Sequence, residues 1–187
     1  MKPISRWPFV VLLALTTCAS PNPALYTIQP VPGAVQPNAP RIIVLRQVGV
    51  ARYLNRSQIV RSGSDYRLVV ASNDWWGEPL AGMITRVLFE ELSQRLPNAT
   101  VTSELSVVGA SPDATVEVEI RRLDGTGANA VALSAQVEVG FKNGPPIART
   151  VNMTIPQTQP DTRGFAAAAS IAIGRVADLI VGIVSAH

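Results

Sequence analysis

Leucine or isoleucine recurs every four residues through Leu80, Ile84, Leu88, Leu92 and Leu96, with Met83 and Val87 beside that row and Arg86, Glu90 and Gln94 opposite. This spacing places one apolar stripe on one face of a helix and predicts an amphipathic helix over residues 79–96. Pro79 suits a first helical position and Pro97 stops the run. A second such stripe, Phe165, Ala169, Ile173, Val176, Ile180 and Val184, predicts a helix over 163–186. That segment is apolar enough to resemble a membrane span. Its mid-segment Arg175 and Asp178 would each cost about 2.5–3.5 kcal/mol at a bilayer centre, which favours a helix packed on a sheet. Three residues apart, Arg175 and Asp178 are placed to pair with each other.

Between and before the helices the pattern changes to alternation. Val116, Val118 and Ile120 alternate with Glu117, Glu119 and Arg121, and Leu133, Ala135, Val137, Val139 and Phe141 repeat every second residue. Period two predicts half-buried strands. Asp124–Asn129, "DGTGAN", and Asn143-Gly144 read as the turns of successive hairpins. "IARTVNMTI" continues as a strand. Upstream, "RIIVLRQVGVARYL" (41–54) reads as one strand, and "QIVRSGSDYRLVVAS" as two about a Ser62-Gly63-Ser64 turn. The order strands, helix, strands, helix predicts an α+β fold: a mostly antiparallel sheet with both helices packed on one face. One domain over 41–187 is large enough to bury a core.

Residues 1–40 differ from the rest. Lys2 and Arg6 precede an apolar run from Trp7 to Leu15, then Thr16, Thr17 and Cys18. About nine apolar residues fit a signal core and fall short of the roughly 20 a spanning helix needs. The pattern resembles a bacterial lipoprotein signal, which is cut before a cysteine that then becomes acylated. Leu15 and Cys18 fit; Thr17 departs from the usual Gly, Ala or Ser. The resemblance implies a signal peptide over 1–17 and a lipid anchor on Cys18. Ala19, where an aspartate would retain an enterobacterial lipoprotein at the inner membrane, implies the outer membrane. Residues 18–40 hold six prolines (21, 23, 30, 32, 37 and 40), so an extended tether is expected there, with "LYTIQP" (25–30) apolar enough to touch the domain.

Charge and chemistry narrow the picture. The formal net charge is +3, but loss of residues 1–17 leaves 14 basic against 13 acidic residues and no basic block beyond Arg121-Arg122. Nucleic acid is therefore not an expected partner. The sole histidine is the last residue, His187, and the sole cysteine is Cys18. No Ser–His–Asp, Cys–His or zinc arrangement can be drawn from these, and no catalytic residue, metal ligand or cofactor is expected. Asp74 and Glu78 flank Trp75-Trp76-Gly77, where a carboxylate-dependent hydrolase could be imagined. Packing of the two rings at a strand-to-helix corner accounts for them without a ligand.

The residues "YTIQP", "YLNRSQIV" and "WWGEPLAGMITRVLFEELSQRL" resemble ABC-transport auxiliary lipoproteins of the PqiC type. Tyr26, Pro30, Tyr53, Leu54, Arg56, Gln58, Ile59, Val60, Trp76, Glu78 and Leu80 carry the likeness. Asn55 replaces an aspartate and Ile28 a leucine. The resemblance implies a non-enzymatic subunit of an ABC transporter coupled to MCE-domain proteins, which carry phospholipid or other hydrophobic cargo across the periplasm. The protein would sit on the periplasmic face of the outer membrane and dock the MCE assembly. The ring shape of such assemblies admits a matching homo-oligomer. The polar, arginine-rich stretch 52–61 is the expected docking face, through Tyr53, Asn55, Arg56, Gln58 and Arg61. The competing expectation is a structural or assembly-factor lipoprotein of another envelope complex, with the same anchor and fold but a different partner.

Overall fold

The computed structural model of the chain describes residues 22–63, 66–104, 111–126 and 129–187. The expected signal and Cys18 lie outside the described residues, as does Ser64 of the expected turn. In chain order the elements are β1 (Ala24–Tyr26), β2 (Ile42–Leu45), β3 (Gly49–Val50), a 3-10 turn (Arg52–Leu54), β4 (Gln58–Ser62), β5 (Leu68–Trp76), α1 (Leu80–Arg95), β6 (Thr100–Ser103), β7 (Ala114–Thr126), β8 (Ala130–Phe141), β9 (Ile147–Pro156) and α2 (Thr162–Ser185).

The two helices form where the stripes place them. Leu80, Ile84, Leu88 and Leu92 of α1, and Phe165, Ala169, Ile173, Val176 and Ile180 of α2, are 0–2 % exposed. α2 lies over β7, β8 and β9, and α1 packs beside it over β3 and β6. The inward residues of the sheet and both helices form one continuous core. α2 is long and apolar enough to cross a membrane, but its stripe is buried in this core. The Asp161 side chain caps α2 by accepting from the Gly164 N–H at 2.7 Å.

The sheet is α+β as expected, but it is not mostly antiparallel. Among the described strands it is a curled mixed sheet, and five of its eight pairings are parallel: β1–β5, β2–β6, β2–β7, β3–β7 and β4–β7. The antiparallel pairings are β4–β5, β7–β8 and β8–β9. The reason is that β7, the longest strand, presents one edge to β8 and the other successively to β2, β3 and β4. Alternation in a sequence marks a half-buried strand but does not fix the direction of its neighbour. Between Ile120 and Arg122 the β7–β8 register shifts. The extra residue switches the inward parity, so that Val116, Val118 and Ile120 face the core before it and Leu123 after it.

Three further expectations change. Residues 41–54 are not one strand: Val48 N–H leaves the ladder to donate to the Thr85 hydroxyl at 3.0 Å, which separates β2 from β3. Asp124 is not a turn residue, because the β7–β8 ladder continues to Thr126 opposite Ala130. Finally, the described part of the proline-rich segment, residues 22–40, is attached to the domain beyond the expected 25–30, through Val31 and Gln36 as well. It is a strap on the domain. β1 adds to the sheet beside β5, Ile28 is buried with its N–H on Met83 Sδ, and Gln29 N–H donates to Ser170 Oγ at 3.0 Å.

Candidate functional site

The expected docking stretch folds as the 3-10 turn followed by β4. Leu54 is buried and pins the turn to the core. Asn55 and Arg56 follow it and are exposed, and Gln58 is half-buried at the start of β4. Tyr53 is not an exposed anchor. It is half-buried, and its hydroxyl donates to Asp124 Oδ2 at 2.9 Å. Asp124 is buried and takes a second contact from Arg122 Nε at 2.9 Å. Burial, then the hydrogen bond to the Asp124 carboxylate, push the Tyr53 phenol well above its ordinary range. The phenol is thus held protonated as a donor. Arg61 also turns inward: Nη2 donates to Thr162 Oγ1 at 3.1 Å, and the guanidinium lies 5.4 Å from the Phe165 ring centre. Of the five expected docking side chains, the fold thus leaves Asn55 and Arg56 presented to solvent. Gln58 borders them, and Tyr53 and Arg61 hold the platform behind them.

The acid–tryptophan corner is structural in its contacts. Thr162 donates to Asp74 Oδ2, which continues the Arg61 network. Glu78 pairs with Arg86 at 2.7 Å, and Trp76 packs 6.0 Å from Phe165 between ring centres. Among the described residues no group of three His, Cys, Asp or Glu side chains is placed to hold a metal ion.

The most heavily charged buried cluster lies under the strap. Arg95 is 2 % exposed and Glu91 is fully buried. Arg95 Nη1 stands 3.3 Å from Glu91 Oε2, and Nε stands 3.2 Å from Asp178 Oδ1. Asp178 therefore pairs across the helix interface with Arg95, where a pairing with Arg175 was expected. The same guanidinium donates to the Val31 and Gly174 carbonyls, and Glu91 Oε1 accepts from Val31 N–H at 2.9 Å. One residue of the strap, Val31, is thus held through both its N–H and its carbonyl by an opposite-charge pair. Burial pushes the Glu91 carboxyl above its usual range, against the Val31 N–H and Arg95, which lower it. Gly174 is required by close approach: a Cβ there would run into Val31 Cγ2. Sequence reasoning missed this cluster, although Met83, Val87, Glu91 and Arg95 continue one i, i+4 row and so carry the charges onto the buried face.

Residues 26–181 match the model of the family described as the ABC-type transport auxiliary lipoprotein component. The chain belongs to this family. The match starts inside the strap, so residues 26–40 of the strap belong to the matched region. Over 132 residues the auxiliary component is 29 % identical to the intermembrane transport lipoprotein PqiC of Escherichia coli (strain K12), covering 68 % of this chain and 69 % of PqiC. PqiC of Shigella flexneri matches to the same extent. Two crystal structures share the fold. An uncharacterised protein superposes with a TM-score of 0.72 at 21 % identity, covering 86 % of this chain and 97 % of that one. A Xanthomonas campestris protein superposes with a TM-score of 0.67 at 18 % identity, covering 85 % and 92 %.

Proposed function

We propose that this auxiliary lipoprotein component is a non-enzymatic subunit of an intermembrane lipid transport system. The observation that carries the reading is the family match across the strap, sheet and both helices, joined to the likeness to PqiC. Cys18 carries the acyl anchor and holds the domain on the periplasmic face of the outer membrane. Two or more chains suffice for a stable anchor at roughly 0.8 kcal/mol per buried CH₂. The domain docks an MCE-domain assembly, driven by the ABC permease and ATPase of the same system, and a homo-oligomer matching the MCE ring belongs to the same reading. Docking uses Asn55 and Arg56, bordered by Gln58, with Tyr53 and Arg61 as positioning residues. An exposed arginine on a turn pinned by a buried leucine is a rigid, pre-organised contact, which lowers the ordering cost of binding.

The test is affinity purification from membranes in mild detergent. Co-purification of an MCE-domain protein with the ABC components is the expected result. Recovery of an unrelated outer-membrane complex in their place would favour an assembly-factor role and overturn the transport reading.

A further inference from the structure

The β4–β5 hairpin ends in apolar side chains that nothing among the described residues covers. Leu68, Val69 and Val70 are 51 %, 55 % and 40 % exposed, and Tyr66 beside them is fully exposed. Successive strand residues point to opposite faces, so exposure at all three means that neither face of the hairpin end is packed. The end is nevertheless ordered by its own ladder: Ser62 and Arg61 pair with Leu68 and Val69, and Gly63 N–H donates to the Arg67 carbonyl at 2.8 Å. Scattered exposed apolar residues need no explanation, but a contiguous group marks a protein or membrane contact.

The strap indicates which. β1 runs parallel to β5 with Ala24 opposite Asp74, and the Asn73 side chain donates to the Asn22 carbonyl at 3.3 Å. A chain that continues upstream along the line of β1 therefore follows β5 back toward Leu68. From Cys18 to Asn22 is four residues, at most about 14 Å of extended chain. From Asn73 back to Val70 or Leu68 is three to five strand residues, about 10–17 Å. A chain of that length is long enough to bring a lipid on Cys18 to the end of the molecule where the hairpin protrudes.

We propose that the hairpin end, through Tyr66, Leu68 and Val69, enters the interfacial layer of the bilayer that holds the Cys18 lipid, as a second membrane contact. The proposal rests on the lipid-anchor reading of Cys18. Tyrosine suits this depth, with an apolar ring and a wet hydroxyl. Arg67 lies between Tyr66 and Leu68, where its stem follows the apolar surface and its head reaches lipid phosphates. Among the described residues 60–70 the charged side chains are Arg61 and Arg67; Asp65 lies outside the described residues. With anchor and hairpin both engaged, the domain stands in one orientation on the membrane.

The experiment uses the full-length acylated protein in vesicles of phosphatidylethanolamine and phosphatidylglycerol. The sequence has no cysteine besides Cys18, so Val69→Cys gives one free thiol for an environment-sensitive fluorophore. Thr150→Cys, on the exposed edge of β9, is the reference. The expected result is quenching by nitroxide-labelled lipid several-fold stronger at position 69 than at 150, with blue-shifted emission. Vesicle flotation with equal, weak quenching at both positions would overturn the hairpin contact and leave the anchor standing. Shielding of position 69 from aqueous iodide without lipid quenching would assign the hairpin to a protein partner or second copy, and also overturn it. Failure of the wild-type chain to float would overturn the anchor and the hairpin contact together.

Discussion

Arg95→Met removes the centre of the charge cluster while keeping a long apolar stem in place. The variant loses both ion pairs and the bonds to the Val31 and Gly174 carbonyls, and it leaves Glu91 buried without a counter-charge. Removing one partner of a buried pair costs about 3–5 kcal/mol, because the other charge is stranded. In a domain of this size 1 kcal/mol corresponds to about 2–4 °C, so the melting temperature should fall by about 6–20 °C. The loss should depend on pH in a known direction. The folded Glu91 carboxyl already titrates above its unfolded value, and losing Arg95 raises it further. A raised carboxyl favours folding fully below its unfolded value, and that contribution is lost as pH rises through the folded value. The deficit of Arg95→Met relative to wild type should therefore be largest at neutral pH and shrink as pH falls toward about 4. Thermal unfolding followed by circular dichroism at several pH values measures this, and limited proteolysis reports whether residues 31–37 have lifted. A loss under about 1 kcal/mol at neutral pH, well below the one-sided cost of a buried pair, would refute the assignment of this cluster as the strap's clamp. So would a deficit that grows as pH falls.

Other perturbations separate holding residues from contacting ones. Arg56→Glu should weaken capture of the MCE partner in pull-down while changing stability by no more than about 0.5 kcal/mol, as for exposed sites generally; a large drop in melting temperature would make Arg56 structural. Tyr53→Phe should cost about 1–3 kcal/mol in denaturant unfolding by leaving the buried Asp124 short of a donor, and an unchanged midpoint would contradict that bond. Gly174→Val should raise protease sensitivity across the strap, because its side chain occupies the space of Val31. Cys18→Ala should move the protein from the membrane pellet to the soluble fraction, and a mutant that still pellets would undercut the lipid anchor.

The helices were legible because burial of α1 and α2 is set by local periodicity: each stripe residue is placed by its own neighbours in sequence. The β7–β8–β9 meander was legible for a related reason, since hairpin turns join strands that are adjacent in the chain. The parallel pairings of β2, β3 and β4 with β7 were not, because each joins segments 64 to 71 residues apart and leaves no local mark. Proline density suggested a tether at 18–40 touching the domain at 25–30, yet prolines also suit an extended strap whose bonds go to side chains such as Glu91 and Ser170. Tyr53 looked available because phenols are common at interfaces, and its satisfaction by Asp124 depends on a strand that reaches further than its glycines suggested. Asn55 and Arg56 were read as docking residues, and the turn leaves both of them exposed.

In the proposed function this domain docks an MCE assembly through the turn after Leu54. A photo-crosslinking side chain at Arg56 in the intact envelope, with one at Thr150 on β9 as reference, tests it most directly. The expected result is an adduct with an MCE-domain protein from position 56 and none from 150. An adduct from 56 with an unrelated envelope protein, or equal yields of the same adduct from both positions, would contradict it.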